Sequence, residues 1–289
     1  MSFSLLIFGI YSNFEIVSEK KFIDIKGLIA SKNPKLLRYL PSFVIRYLKR
    51  ILHEDDINEF LEVNKDKYDQ DFCKAAIDYF NIKIVIKNKE LIPQEGPIII
   101  AMNHPLGGMD AVALVAGLAD YRRDLRFIVN DLLMNLKNIS GLFIGVNKHG
   151  KNDDSVRNQI QRTFESEHAI CIFPAGLVSR KLNGVVQDLT WKKTFMLYGR
   201  SLDRTIVPIH IEGELSNFFY RLSRIRSTVG IKANIEMLYL ANELFKQYNR
   251  TITFTVGTPI KGSSFDKSMS DQDAAESLRK TVHELKYKV

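Results

Sequence analysis

The 289-residue chain lacks the features of several common protein classes. It has only two cysteines, Cys73 and Cys171, which lie far apart and in no metal-ligand spacing. A disulfide framework and a zinc site are therefore not expected, and we predict buried apolar thiols in a reducing compartment. No apolar run reaches the roughly 18–20 residues of a spanning helix, so an integral membrane protein is not expected.

Several catalytic and nucleotide-binding motifs are also missing. The sequence has no Gly-x-Ser-x-Gly elbow of a serine hydrolase, no Gly-x-Gly-x-x-Gly fingerprint and no P-loop. Its histidines do not pair at metal-ligand spacing, so no metal is expected. What the chain does have is the composition of a globular protein, with 45% hydrophobic residues, and a net charge of +8 that favours an anionic partner.

Apolar runs alternate with helical patterns between residues 81 and 262. The predicted strands are 82–87, 97–102, 125–129, 169–173, 205–211, 234–238 and 252–257. The predicted helices lie near 110–120, 153–166, 187–200 and 214–226, followed by a polar helix at 270–287. This alternation predicts an α/β fold with a mixed, largely parallel sheet flanked by helices.

The pattern divides the chain into four parts. We expect an apolar tail at 1–20, an N-terminal helical region at 21–80, an α/β domain at 81–262 that is the candidate catalytic domain, and a C-terminal helix at 263–289. Within 35–51, apolar residues at helical spacing alternate with Lys and Arg, a pattern typical of helices that lie on anionic membranes. The alternative is a helix that packs its apolar face on the catalytic domain.

The most informative stretch runs from Ile98 to Asp110. A short, largely β-branched run ends in Asn103-His104, which a Pro/Gly segment separates from Asp110. Asp110 precedes an apolar helical stretch, and Asp is a favoured N-cap. A His that leaves a strand beside such an Asp is typical of a general base with its orienting carboxylate.

Three further segments carry candidate chemistry. Residues 170–181 repeat the strand-to-turn pattern and end in Arg180-Lys181, where turn amides and the two cations could hold an anionic head group. An ordinary loop exit with solvated bases is the alternative. Taken alone, residues 141–148 and the apolar strand 206–211, which contains Pro208, are more typical of core.

In this order the four segments resemble the glycerolipid acyltransferase superfamily, whose members make phosphatidic acid from lysophosphatidic acid. That family has an Asn-His-x4-Asp block, a Gly-x-x-Phe-Ile block, a Phe-Pro-Glu-Gly block and a Val-Pro block. The resemblance covers about residues 95–212. It is greatest to a bacterial branch often labelled hemolysin-like acyltransferases, which includes enzymes that O-acylate lyso-ornithine and lyso-glycine lipids.

The resemblance implies the chemistry and the site. His104 and Asp110 would be catalytic, and an acyl-carrier-protein or coenzyme A thioester would donate a fatty acyl group to a lyso-lipid hydroxyl. No cofactor and no nucleic-acid partner are expected, and the protein is expected in the cytoplasm, peripheral to the inner face of the plasma membrane. The implied substrate contacts are Asn103, Gly107, Gly108, Lys148, Phe173, Pro174, Gly176, Ser179, Arg180 and Lys181.

The chain departs from the family pattern in three places. Five residues, not four, separate His104 from Asp110, although Gly107-Gly108 give the backbone freedom to absorb one more. Ala175 replaces the usual Glu, with Arg180 two places beyond the usual Arg, and the Gly-x-x-Phe-Ile block lacks its Arg. In the family the last two positions hold the acceptor's phosphate, so we expect an acceptor other than glycerol phosphate, such as a lyso-aminolipid.

Other interpretations stay open at this point. The departures leave room for a non-catalytic lipid- or membrane-binding protein with the same fold, and the charge alone suggests nucleic-acid binding. A thioesterase or lipid hydrolase would use water in place of the acceptor hydroxyl. The pair His149 and Asp154 also has His-x4-Asp spacing, but it lies in a polar loop and follows no apolar strand.

Overall fold

The computed structural model of the chain describes residues 22–130, 136–146 and 154–287. Its first part is helical, as predicted. The helices are α1 (Ile25–Lys32), α2 (Pro34–Tyr39), α3 (Ser42–Ile51), α4 (Glu54–Val63) and α5 (Asp69–Tyr79). The apolar tail of 1–20 lies outside the described residues, and the division of the chain at 20, 80 and 262 stays a prediction.

The strands that follow are β1 (Lys83–Lys87), β2 (Ile98–Met102), β3 (Leu125–Asn130), β4 (Phe143–Val146), β5 (Ala169–Ile172), β6 (Arg180–Leu182), β7 (Val185–Gln187), β8 (Thr205–Ile211), β9 (Thr251–Val256) and β10 (Ile260–Lys261). β6 and β7 pair only with each other, and the other strands build a mixed sheet. The order across the sheet is β1-β9-β8-β2-β5-β3-β4. The run from β8 to β4 is parallel, whereas β9 and β10 pair with β8 in the antiparallel sense.

Helices cover both faces of this sheet. They are α6 (Gly108–Leu118), α7 (Asp154–Glu165), α8 (Thr194–Ser201), α9 (Asn217–Thr228), α10 (Leu240–Phe245) and α11 (Asp271–Glu284). Side chains alternate along the fully buried β2, so Ile100 and Met102 join the core beneath α6, while Ile99 and Ala101 join a second core with Trp191 and α11. The predicted fold class, a largely parallel sheet flanked by helices, is confirmed.

Two element predictions were wrong. The predicted strand 234–238 is a 3₁₀ helix, Ile235–Tyr239, which leads into α10. A short apolar run does not distinguish strand from helix, and the Glu, Met and Leu in this run are good helix formers. The helix expected at 187–200 begins only at Thr194, because Val185–Gln187 pairs with β6 in a hairpin around Asn183-Gly184, both with positive φ.

The predicted burial of the two cysteines is confirmed. Cys73 and Cys171 are both free and buried in the core beneath α6. Burial raises the pKa of the Cys73 thiol to about 12 and also raises that of Cys171. Both side chains therefore remain neutral thiols that pack as apolar groups.

Candidate active site

His104 is the second residue after β2, at the carboxyl edge of the parallel strands. Its position is set by the neighbouring Asn103, whose buried side chain donates to the Ile211 carbonyl at 2.9 Å and accepts from the Ile211 N–H at 2.7 Å. These two bonds tie the end of β2 to the end of β8. The Asn103 amide thus supports the fold, and its predicted contact with substrate stays a prediction.

The imidazole of His104 meets the carboxylate of Asp110. The Nδ1 atom lies 2.9 Å from Asp110 Oδ2, and the same oxygen accepts from the Leu106 N–H at 3.0 Å. The His104 side chain is 17% exposed, whereas that of Asp110 is fully buried. Because Nδ1 is held by the carboxylate, Nε2 is the nitrogen that can take a proton from a substrate.

Asp110 is the third residue of α6 and not its N-cap, which corrects the prediction. The cap position belongs to Gly107, and the carboxylate of Asp110 turns back from the first helical turn toward Leu106 and His104. Burial raises the pKa of Asp110, opposed by the hydrogen bond and the charge of His104 and by the Leu106 N–H. Its position in the first turn of a helix also favours the ionised form.

Gly107 permits the turn between the two catalytic candidates. Its φ of 71° and ψ of −138° lie in a region that only glycine adopts readily. A Cβ at this buried position would also lie 3.3 Å from Val178 Cγ1. Gly108 is different: it is exposed, starts α6, and no described atom lies within 4 Å of the place its Cβ would take.

The turn after β5 packs against the His104 ring. Phe173 stacks on the imidazole with ring centroids 4.0 Å apart and 21° between the planes. Gly176 has a φ of 68°, and its N–H donates to the Phe173 carbonyl at 2.9 Å. The buried Pro174 accepts from the Lys192 N–H at 3.0 Å. Phe173 thus forms one wall of the site, and backbone hydrogen bonds within the turn and to Lys192 hold the turn in place.

The two predicted cations after this turn differ in what they contact. Arg180 is buried, and its guanidinium lies 3.0 Å from Glu236 and donates to the Val178 carbonyl at 2.7 Å. The Nζ of Lys181 lies 3.5 Å from the exposed Glu214. Arg180 is thus engaged inside the fold, while Lys181 remains accessible. Lys148 lies outside the described residues.

Asp188 connects the site loops and was not among the predicted residues. Its buried carboxylate accepts from the His104 N–H at 3.2 Å, from the Ser179 hydroxyl at 2.5 Å and from the Trp191 indole at 2.8 Å. The Ser179 N–H in turn donates to the His104 carbonyl at 2.8 Å. Asp188 therefore links the loop that carries His104 to the segment that follows Phe173, and its negative charge raises the pKa of Asp110.

Comparison with known proteins identifies the family. A family model described as "Acyltransferase" matches residues 27–289. The chain belongs to the acyltransferase family. Two curated relatives, both named lyso-glycine lipid O-acyltransferase, are 42% and 41% identical over 264 residues. These relatives confirm that this acyltransferase is an enzyme of the O-acyltransferase class.

Both relatives are bacterial and are matched over nearly their whole length. The protein from Bacteroides thetaiotaomicron is covered to 97% and that from Phocaeicola vulgatus to 95%, in each case by 91% of this acyltransferase. Among solved structures, the 1-acyl-sn-glycerophosphate acyltransferase PlsC from Thermotoga maritima is similar at a TM-score of 0.49 and 15% identity. That match covers 90% of this chain and 93% of the other.

Some sequence-level candidates of this acyltransferase cannot be placed. His149 lies outside the described residues, and its partner Asp154 is the first residue of α7. Within the described ranges, no cluster of three His, Cys, Asp or Glu side chains could hold a metal ion. Asp188 could have been suspected only from Trp191, the single tryptophan, whose buried N–H requires an acceptor.

Proposed function

We propose that the chain transfers a fatty acyl group from an acyl thioester to the hydroxyl of a lyso-lipid. The observation that carries this proposal is the contact between His104 and the buried Asp110, at 2.9 Å, on the carboxyl edge of the sheet. Membership of the acyltransferase family and two relatives named lyso-glycine lipid O-acyltransferase support it. A lyso-glycine lipid is accordingly the proposed acceptor.

The proposed reaction is a direct transfer. Nε2 of His104 takes the proton of the acceptor hydroxyl, whose oxygen attacks the thioester carbonyl carbon. The tetrahedral intermediate collapses as the carbon–sulfur bond breaks, and the imidazolium returns the proton to the leaving thiolate. Asp110 keeps the Nδ1–H tautomer and stabilises the imidazolium. Because a thioester is already activated, no nucleophile from the enzyme is needed.

The developing oxyanion needs donors close to His104. Backbone N–H groups near Gly107-Gly108, where α6 begins, are the proposed donors, because the start of a helix presents unpaired amides and a positive dipole end. The Leu106 N–H is excluded from this role since it donates to Asp110. Phe173 covers one face of the imidazole.

The surroundings of the site support an acceptor without a phosphate. Ala175 occupies the place of the family's Glu and is buried, and Arg180 is held by the buried Glu236. Lys181 and Lys148 stay as the proposed contacts for an anionic part of donor or acceptor. The proposed acyl donor is a thioester of either acyl carrier protein or coenzyme A. The assay below compares the two donors.

The experiment is an acyl-transfer assay with purified protein. It uses both thioester donors and a panel of three acceptors: a lyso-glycine lipid, a lyso-ornithine lipid and lysophosphatidic acid. Release of free thiol that requires the acceptor, with the acylated lipid identified by mass spectrometry, is expected with a lyso-aminolipid. His104→Ala should lower turnover by about 10²–10⁴-fold, the usual contribution of a general base. Asp110→Asn should also lower it, because it favours the wrong tautomer.

His149→Ala is the matched control and should keep its activity. Normal turnover in both His104→Ala and Asp110→Asn would refute the assignment. Robust acylation of lysophosphatidic acid would refute the acceptor class. If no acceptor on the panel released thiol, a non-catalytic lipid-binding protein would be favoured.

The proposed place of action is the surface of an anionic membrane, at the inner face of the plasma membrane. A lyso-lipid keeps its acyl chain in the bilayer, because each buried methylene contributes about 0.8 kcal/mol, so the enzyme must come to it. Within the part of the chain that the structure describes, no helix has the length and apolarity to span a membrane. The proposed mode of action is peripheral binding to the bilayer that holds the acceptor.

A further inference from the structure

An exposed aromatic surface joins the N-terminal helices to α9. On α3, Phe43 is 68% exposed and Tyr47 39% exposed, one turn apart on the same side. The Tyr47 hydroxyl lies 2.7 Å from that of Tyr239, and the Tyr239 ring meets Phe218 edge-on at 4.9 Å. Phe218, near the start of α9, is itself 48% exposed. One continuous surface therefore runs from α3 across Tyr239 to α9.

The outer side of α9 continues this surface. Ile225 follows Phe218 by two turns and is 60% exposed, with the exposed Arg221 between them on the same side. The buried side of the helix, by contrast, carries Phe219 and Ser223. α9 thus presents large apolar side chains and cations outward.

The two chain segments that carry this surface contain cations and no acids, although the exposed Glu214 and Asp56 lie just outside them. Residues 25–53 and 215–235 contain no Asp or Glu, although the chain has 33 of them, and they contain seven and four Lys and Arg residues respectively. The Arg50 guanidinium lies 5.4 Å above the Tyr47 ring. The next acid along the chain, Glu236, is fully buried between Arg180 and Arg226 and projects no free charge outward.

From these features we propose that α3, Tyr239 and α9 form a single docking surface for an anionic lipid bilayer. Exposed aromatic and aliphatic side chains suit the interface between head groups and acyl chains, and the excess of cations suits anionic head groups. The inference rests on the proposed function and adds to it: α9, within the catalytic part of the chain, binds the membrane together with the N-terminal helices.

A series of contacts connects this surface to the loop that carries His104. Tyr239 ends the same 3₁₀ helix that holds Glu236, which binds Arg180. Arg180 follows Ser179, whose N–H donates to the His104 carbonyl. The docking surface is therefore connected to the loop that carries His104 through Glu236, Arg180 and Ser179.

The test is co-sedimentation of the full-length protein with vesicles of phosphatidylcholine, with and without phosphatidylglycerol. The apolar variant is Phe218→Ser with Ile225→Ser, and the charge variant is Arg221→Gln with Arg224→Gln. Both should bind the anionic vesicles at least about tenfold more weakly, since each cation near an anionic surface contributes several-fold to binding. Binding to pure phosphatidylcholine should be weak for every variant, including the unmodified protein.

Matched controls come from other exposed helices. Val63→Ser on α4 removes a side chain that is 76% exposed, and Arg157→Gln with Arg162→Gln removes two exposed cations from α7. These variants should bind vesicles normally. Turnover of a lyso-lipid in detergent micelles should be unchanged in the α9 variants, whereas turnover of the same lipid in vesicles should fall.

The outcomes separate the two proposals. Unchanged vesicle binding in both α9 variants would overturn the docking surface, even if the protein acylates lyso-lipids. Equal losses in the α4 and α7 controls would also overturn it, because binding would then follow total charge and not this surface. Absence of turnover in micelles with normal vesicle binding by the unmodified protein would instead refute the proposed function.

Discussion

Glu236 provides the sharpest test of what Arg180 does. Its carboxylate is fully buried and lies 3.0 Å from Arg180 and 2.9 Å from Arg226. Glu236→Gln would leave the two guanidinium groups facing each other without the charge that neutralises them. The pKa of Arg180 is already lowered by burial and by Arg226, and the charge of Glu236 opposes that shift.

The expected cost follows from the burial of this cluster. Breaking a buried ion pair by removing one partner costs about 3–5 kcal/mol. For a chain of this size about 1 kcal/mol corresponds to a change of about 2–4 °C in Tm, so a fall of at least about 6 °C is expected. Arg180→Met should also lower Tm, but by less, because Glu236 keeps Arg226.

The assay is thermal unfolding combined with kinetics on the lyso-lipid acceptor. If Arg180 stabilises the fold through its ion pair with Glu236, both Glu236→Gln and Arg180→Met should lower Tm. The double variant should then lower Tm by less than the sum of the two single changes. Glu62→Gln, which removes an exposed partner of Lys65 on α4, is the matched control and should leave Tm unchanged. A normal Tm in Glu236→Gln, with a large rise in KM in Arg180→Met, would refute this reasoning and make Arg180 a substrate contact.

Three further predictions concern the catalytic loop and the core behind it. Gly107→Ala should lower both Tm and turnover, because the strained backbone costs about 1–3 kcal/mol. Gly108→Ala should be tolerated. If the two variants changed Tm and turnover equally, the role of the positive φ at Gly107 would be contradicted. Asp188→Asn should reduce kcat by up to about 10²-fold with a smaller change in KM, because the loop that carries His104 shifts. A lower Tm with a normal kcat would instead mean that Asp188 has only a structural role. Burial and the charges of His283 and Lys286 lower the pKa of His210 to about 4, below its ordinary 6.5. Between these two pH values the His210 imidazole therefore binds a proton in the unfolded chain but not in the folded chain. Tm should therefore fall as the pH drops from about 7 toward 4, and it should fall less in His210→Gln; identical pH profiles of Tm would refute this.

The central strand and the contact between His104 and Asp110 could be predicted because their signals are local. Ile98–Met102 is a short β-branched apolar run, and such a run followed by polar residues marks the carboxyl end of a buried strand. His104 and Asp110 lie within six positions of each other, so a turn was enough to bring them together. In the structure, His104 Nδ1 lies 2.9 Å from Asp110 Oδ2.

The partners of that pair could not be predicted because they come from distant parts of the chain. Asp188 lies 84 positions from His104, and Glu236 lies 56 positions from Arg180. No periodicity or spacing connects such residues, since only the packing of the sheet and its helices brings them together. For the same reason, the sequence pattern predicted Arg180 as a cation near the site but did not predict Glu236 as its buried partner.

The extra residue between His104 and Asp110 shows how a departure in sequence can leave the contact between the two side chains intact. A longer segment would carry the carboxylate past the imidazole if it continued as regular helix or strand. Instead the backbone reverses at Gly107, and α6 begins immediately afterwards. Asp110 consequently lies in the first turn of α6, where its side chain can point back to His104 and accept the Leu106 N–H. The six-position separation and the glycine therefore act together: without a residue that tolerates a φ of 71°, this spacing would separate the imidazole from the carboxylate.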